Sequence, residues 1–101
     1  MEFYHQVYAL CKNVPKGKVT TYKELAHALG TRAYRAVGQA MRNNPYAPEV
    51  PCHRVVASDG GLGGFEGSTK SNKTKIARLA AEGVVVQGNR IKEFEKRLYR
   101  F

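Results

Sequence analysis

The apolar positions of the chain fall into short periodic runs, separated by glycine and proline. From about Glu2 to Asn13, Phe3, Val7 and Leu10 recur at helical spacing, with Val14 next in step, which predicts an amphipathic helix. Cys11 lies four residues after Val7 on the same side, the place of a small buried thiol. Pro15-Lys16-Gly17-Lys18 is a turn leading into a short extended Val19-Thr20. Thr21 and Glu24 then have the spacing of a capping box, opening a helix with Leu25, Ala28 and Leu29 inward that Gly30 stops. A second helix runs from about Ala33 to Asn43 and ends where Pro45 constrains Asn44. Two short helices around a tight turn predict a helix-turn-helix.

Beyond Pro51 the period changes. Val55-Val56-Ala57 reads as a short strand and Ser58-Asp59-Gly60-Gly61 as a turn. Five glycines between Gly60 and Gly67 make a loop with unusual backbone angles, without the spacing of a nucleotide-binding fingerprint. A third amphipathic helix is expected from about Asn72 to Glu82, with Ile76, Leu79 and Ala80 inward and Gly83 as its stop. Val84-Val85-Val86, Gln87-Gly88-Asn89 and Arg90-Ile91 predict a small hairpin. Glu93 to Phe101 is read as a short helix with Phe94, Leu98 and Phe101 on one side. The expected fold is α+β, mainly helical, of winged helix-turn-helix type.

Charge adds a partner to this picture. Seventeen Lys+Arg against eight Asp+Glu give a formal +9 on 101 residues. Such a surface favours polyanions, with counterion release driving nucleic-acid binding; a basic surface that only aids solubility is the alternative. The second helix sharpens the choice. Ala33, Ala36, Val37, Ala40 and Met41 form its apolar face, and Arg35, Gly38, Gln39 and Arg42 gather on the opposite one. That stripe lacks the carboxylates of an ordinary solvated face, and its glycine lets a duplex backbone come close. No apolar run is long enough to span a membrane, and the start has no signal-peptide pattern, so a soluble, intracellular, cytoplasmic protein is expected. The length suits one domain.

Cys11 and Cys52 make no disulfide framework, and His5, His27 and His53 form no zinc pattern, so no metal is expected. Cys52 stands between Pro51 and the pair His53-Arg54, which offers a base and positive potential to lower a thiol's pKa. Adjacent side chains need not face each other, so His53 would act through a bridging water. By itself Cys-His fits a structural role equally well.

The longer motif, Pro51-Cys52-His53-Arg54-Val55-Val56, resembles the active-site sequence of the O6-alkylguanine-DNA alkyltransferases, residue for residue. Upstream, Gly17-Lys18-Val19-Thr20-Thr21-Tyr22, Arg35-Ala36-Val37-Gly38-Gln39-Ala40-Met41 and Asn43-Asn44-Pro45 keep that family's order. Gly63-Gly64-Phe65 and Glu82-Gly83-Val84 keep it downstream, so the likeness covers nearly the whole chain. The resemblance implies DNA repair by direct reversal. Cys52 would take the alkyl group from O6 of guanine irreversibly, once per molecule and without a cofactor, as a suicide methyltransferase. It further implies that His53 draws the thiol proton through a water, that Glu82 orients His53, and that Asn44 holds the turn around the site. The target base would be flipped out of duplex DNA. Arg35 would fill the gap and Tyr22 crowd a backbone phosphate, while the second helix, with Gly38, Gln39 and Arg42, enters the minor groove. Guanine would lie against backbone carbonyls near Cys52 and Val55 and an amide near Glu66, with Met41 and Phe65 lining the pocket.

Three features depart from the family's pattern. The sequence carries no N-terminal α/β domain, so residues 1–101 are expected to form a single, monomeric catalytic and DNA-binding unit. Phe65 stands where relatives commonly have tyrosine, which predicts a changed rate or substrate preference. The stretch Glu66 to Asn72 reads as a longer, more polar loop. Two other readings compete. One is a lesion-binding module of the alkyltransferase-like kind, whose members typically carry tryptophan at the cysteine position. The other is a winged-helix regulator with a structural cysteine.

Overall fold

The computed structural model describes residues 2–47, 49–62 and 69–101, without the side chains of residues 69–72. In chain order it holds α1 (Glu2–Cys11), β1 (Thr20–Thr21), α2 (Tyr22–Ala28), α3 (Tyr34–Arg42), a 3₁₀ turn (Cys52–Arg54), β2 (Val55–Val56), α4 (Thr69–Ala81), β3 (Val86–Gln87), β4 (Arg90–Ile91) and α5 (Phe94–Arg97). β1 and β2 pair in parallel, Thr20 opposite Val55 and Thr21 opposite Val56. The architecture is α+β, mainly helical and winged-helix-like.

β2 is where the two halves meet. Successive strand residues face opposite sides. Val55 accordingly joins a cluster with Val7, Cys11, Leu25, Val37 and Met41 from α1, α2 and α3, and Val56 joins a second with Val19, Leu62, Leu79, Val84 and Ile91. Both valines are fully buried. The 3₁₀ turn carrying Cys52 leads directly into this seam, so its backbone is held from both sides.

Local signals account for most element ends. The Thr21 hydroxyl accepts the Glu24 amide hydrogen at 3.0 Å, capping α2, a contact worth about 1 kcal/mol. Tyr8 donates its hydroxyl to the Ala40 carbonyl at 2.9 Å and so ties α1 to the end of α3. The β3–β4 hairpin pairs Val86 with Ile91 and Gln87 with Arg90. Its two turn residues, Gly88 and Asn89, have φ of 60° and 61°, the left-handed angles of the turn that matches strand twist.

Several elements differ from expectation. The first helix stops at Cys11, the first strand is Thr20–Thr21, and the strand after Pro51 stops at Val56. The third long helix starts at Thr69, so residues 69–72 are helical rather than loop. Of its three expected inward residues only Leu79 is buried; Ile76 and Ala80 are exposed. The helix meets the core along one narrow line, and alanine and isoleucine beside that line reach solvent. Only Val86 of the three valines enters the hairpin, and Val85 is exposed. The tail is helical for four residues, then turns extended, because Val19 captures its backbone: Val19 N–H donates to the Arg97 carbonyl and Tyr99 N–H to the Val19 carbonyl.

Candidate active site

Cys52 opens the 3₁₀ turn, half-buried and packed against the first cluster. Its amide donates to the Val50 carbonyl at 2.8 Å, and the Arg54 amide donates to the Pro51 carbonyl at 2.9 Å. Asn44 braces the approach to this turn. Its amide nitrogen donates to the Val50 carbonyl at 2.8 Å, and its oxygen accepts the Tyr46 amide at 2.9 Å.

His53 is buried, and its Nε2 lies 2.9 Å from Oε2 of Glu82, the residue just after α4. A carboxylate can only accept here, so Nε2 carries the hydrogen and Nδ1 is left with its lone pair. Nδ1 is buried with no hydrogen-bond partner among the described residues. An imidazole held this way is a base aimed by a carboxylate.

Glu82 has a second and stronger grip. Arg54 Nε donates to Oε1 at 2.9 Å and Nη2 to Oε2 at 2.6 Å, a two-point fork. Arg54 Nη1 donates to the Val14 carbonyl at 2.8 Å, anchoring the fork to the loop after α1. Burial works to raise the Glu82 pKa, but the Arg54 and His53 hydrogen bonds and charges outweigh it, and the carboxyl is held at about 2. Burial lowers the His53 pKa, and the Arg54 and Arg78 charges push the same way against the pull of Glu82. His53 is thereby kept neutral more readily than a free histidine. Burial pushes the Cys11 thiol up to about 12, the nearby Cys52 adding to it, so Cys11 is an inert core thiol.

The other residues singled out from sequence fall in two places. Tyr22 is the first residue of α2, and Arg35, Gln39 and Arg42 are exposed on α3. A Cβ added at Gly38 would touch nothing within 4 Å, so this face of α3 is open. Met41 is buried in the first cluster, and the Val55 side chain is wholly within it, so that side chain cannot line a pocket. Phe65 and Glu66 lie outside the described residues. An open groove of about 340 Å³, lined by His5, Tyr8, Lys12, Tyr46 and Glu49, shares none of the expected site residues.

Three contacts escaped the sequence reading. Arg54 was expected to offer its charge beside the thiol, and it instead clamps Glu82. Lys75 donates to the Val55 carbonyl at 2.7 Å, bonding α4 to the start of β2. Tyr8 secures the end of α3. Each joins residues 20 or more apart in sequence, and no local pattern marks such a pair.

With this geometry in view, comparison with known proteins is specific. The family model described as 6-O-methylguanine DNA methyltransferase, DNA binding domain, matches residues 2–84. A bifunctional methyltransferase/endonuclease of Picrophilus torridus is 37% identical over 102 residues, covering 100% of this chain and 32% of that protein. A methylated-DNA–protein-cysteine methyltransferase of Methanosarcina barkeri is 55% identical over 58 residues, 56% of this chain and 36% of that protein. The chain thus spans about a third of the length of these curated relatives. S. pombe Atl1, solved in complex with damaged DNA containing O6-carboxymethylguanine, superposes with a TM-score of 0.87 at 31% identity, covering 99% of this chain and 96% of that one.

Proposed function

This chain belongs to the 6-O-methylguanine DNA methyltransferase family through its DNA-binding domain, and we propose that it repairs DNA by moving the alkyl group from O6 of guanine to Cys52. The observation that carries the reading is the row of groups behind the cysteine. Cys52 is half-buried, His53 Nδ1 is buried without a hydrogen-bond partner among the described residues, and the Nε2 contact with Glu82 favours the tautomer that leaves Nδ1 its lone pair. His53 takes the thiol proton through one water. The thiolate attacks the alkyl carbon in line, the carbon–O6 bond breaks, and its electron pair leaves with the guanine. The product is a stable thioether, so each molecule acts once. No cofactor enters the reaction, and residues 1–101 carry both chemistry and DNA binding.

The reacting carbon is out of reach in stacked DNA, so the nucleotide is flipped into the site. The open face of α3, with Gly38, Gln39 and Arg42, enters the minor groove of double-stranded DNA as a monomer. Arg35 fills the gap in the stack, and Tyr22 crowds the phosphate of the rotated nucleotide. Asn44 keeps the Cys52 turn in register. The flipped guanine meets the Cys52 and Val55 backbone, with Met41 beneath it. The protein acts inside the cell, where its DNA is.

Intact-protein mass spectrometry after incubation with excess duplex carrying one O6-methylguanine tests this. The expected result is one methyl gained per chain, abolished in Cys52→Ser and retained in Cys11→Ala. A second reading, lesion binding without transfer, draws on the near-complete superposition on the Atl1 complex. Tight lesion binding with no mass gain would establish it in place of the first.

A further inference from the structure

We infer that the segment after α5, residues Leu98–Phe101, is a DNA-contacting element that lays Arg100 against the phosphate backbone on the Tyr22 side of the site. The inference rests on the repair reading for what it binds, and on the fold for where it binds.

The family model ends at residue 84, so the hairpin, α5 and the extended tail lie beyond it. From residue 85 onward the chain carries Arg90, Lys92, Lys96, Arg97 and Arg100 against only Glu93 and Glu95. The superposition on Atl1, a protein solved on damaged DNA, takes in 99% of the chain and so includes this segment.

Geometry places that charge beside β1 and the start of α2. Leu98 bridges Val19 in parallel. Val19 N–H donates to the Arg97 carbonyl at 2.8 Å and Tyr99 N–H to the Val19 carbonyl at 2.7 Å. Thr20, itself buried, donates its hydroxyl to the Tyr99 carbonyl at 3.0 Å. The tail is therefore an added strand on the free edge of β1, running the same way. Tyr99 is level with Thr20. At about 3.3 Å per residue, Arg100 and Phe101 are the next steps toward Tyr22, which opens α2 at the end of β1.

Most other cations of the segment have tasks within the fold. Arg97 Nη1 donates to the Gly17 carbonyl, Arg90 to the Asp59 carbonyl, and Lys96 pairs with Glu93. Arg100 is exposed and makes no ion pair among the described residues. Its backbone neighbour Tyr99 is pinned by two hydrogen bonds, to Val19 and Thr20, so little ordering is left to be done when a phosphate arrives. An exposed, pre-placed guanidinium is suited to a phosphate oxygen, and the duplex strand that passes Tyr22 supplies one.

The test measures binding of the full chain to unmodified duplex across a salt series, beside methyl transfer from the O6-methylguanine duplex. Arg100→Ala is expected to bind more weakly at low salt and to lower the slope of log K against log[salt] by about one. Arg100→Glu should lower it at least as far, while both variants still gain one methyl at saturating DNA. Lys12→Ala, an exposed cation in the turn just after α1, should leave the slope unchanged. Wild-type slopes in both Arg100 variants would overturn the inference, and so would an equal loss in Lys12→Ala, since the effect would then be bulk charge. If wild-type chain takes no methyl, the repair reading falls separately, and the slope on unmodified duplex still decides the tail.

Discussion

Replacing Arg54 with methionine removes the fork from Glu82 and leaves His53 as the only side chain hydrogen-bonded to that carboxylate among the described residues. Holding the Glu82 carboxyl at about 2 rather than its ordinary 4.5 corresponds to about 3 kcal/mol of stability at neutral pH. The folded value is depressed, so this stability is whole above pH 4.5 and is lost as pH falls toward 2. Arg54→Met forfeits most of it, about 2–3 kcal/mol, because charged hydrogen bonds are broken in a mostly buried place. A domain of ordinary stability, about 5–15 kcal/mol, stays folded at 25 °C with a lower Tm and a weaker loss of stability in acid. The chemical consequence runs the other way in pH. The Arg54 charge helps hold the His53 pKa down; without it the carboxylate pulls His53 up. Single-turnover methyl transfer, followed by intact mass across a pH series through the histidine range, should show the acid limb of Arg54→Met displaced upward, with rates converging on wild type at high pH. Arg54→Lys keeps the charge and loses the fork, so its limb should stay near the wild-type position although its Tm falls. A folded Arg54→Met whose profile is the wild-type curve scaled by a constant would refute the coupling of Arg54 to His53.

Other consequences are simpler. In native protein a disulfide reagent should titrate Cys52 alone, and Cys11, fully buried with its thiol at about 12, only after denaturation; two fast thiols would refute its placement. Thr21→Ala should cost about 1 kcal/mol by removing the α2 cap, read as a lower urea midpoint at unchanged m, with Thr21→Ser restoring most of it. Asn44→Ala breaks both bonds that brace the loop before Cys52, and should slow methyl transfer more than it weakens binding to unmodified duplex. Leu79→Ala opens the second cluster, which packs under the seam, and should cost about 2–5 kcal/mol by chemical denaturation.

The legible and illegible parts of this fold divide by distance along the chain. Caps, turns and helix periods are local, so α1, α2, α3 and the hairpin turn were visible in the residues themselves: Thr21 with Glu24, Gly88 with Asn89, Val37 with Ala40 and Met41. The Cys52 motif was legible for a related reason, since its proline, cysteine, histidine and arginine are contiguous. What escaped was set by pairings between distant segments. Val19 straightens the tail that its own apolar spacing would have wound further into a helix, and the narrow contact line of α4 leaves Ile76 in solvent. Arg54 shows the limit best. Beside a cysteine, an arginine reads as an activator of the thiol, and its neighbours in sequence offer no other role. Only when α4 delivers Glu82 to the same turn does the arginine acquire a different partner, 28 residues away. The motif is thus a local sequence with a non-local electrostatic assignment: His53 is tuned by a carboxylate from one side of the seam, and that carboxylate is tuned by an arginine anchored on the other.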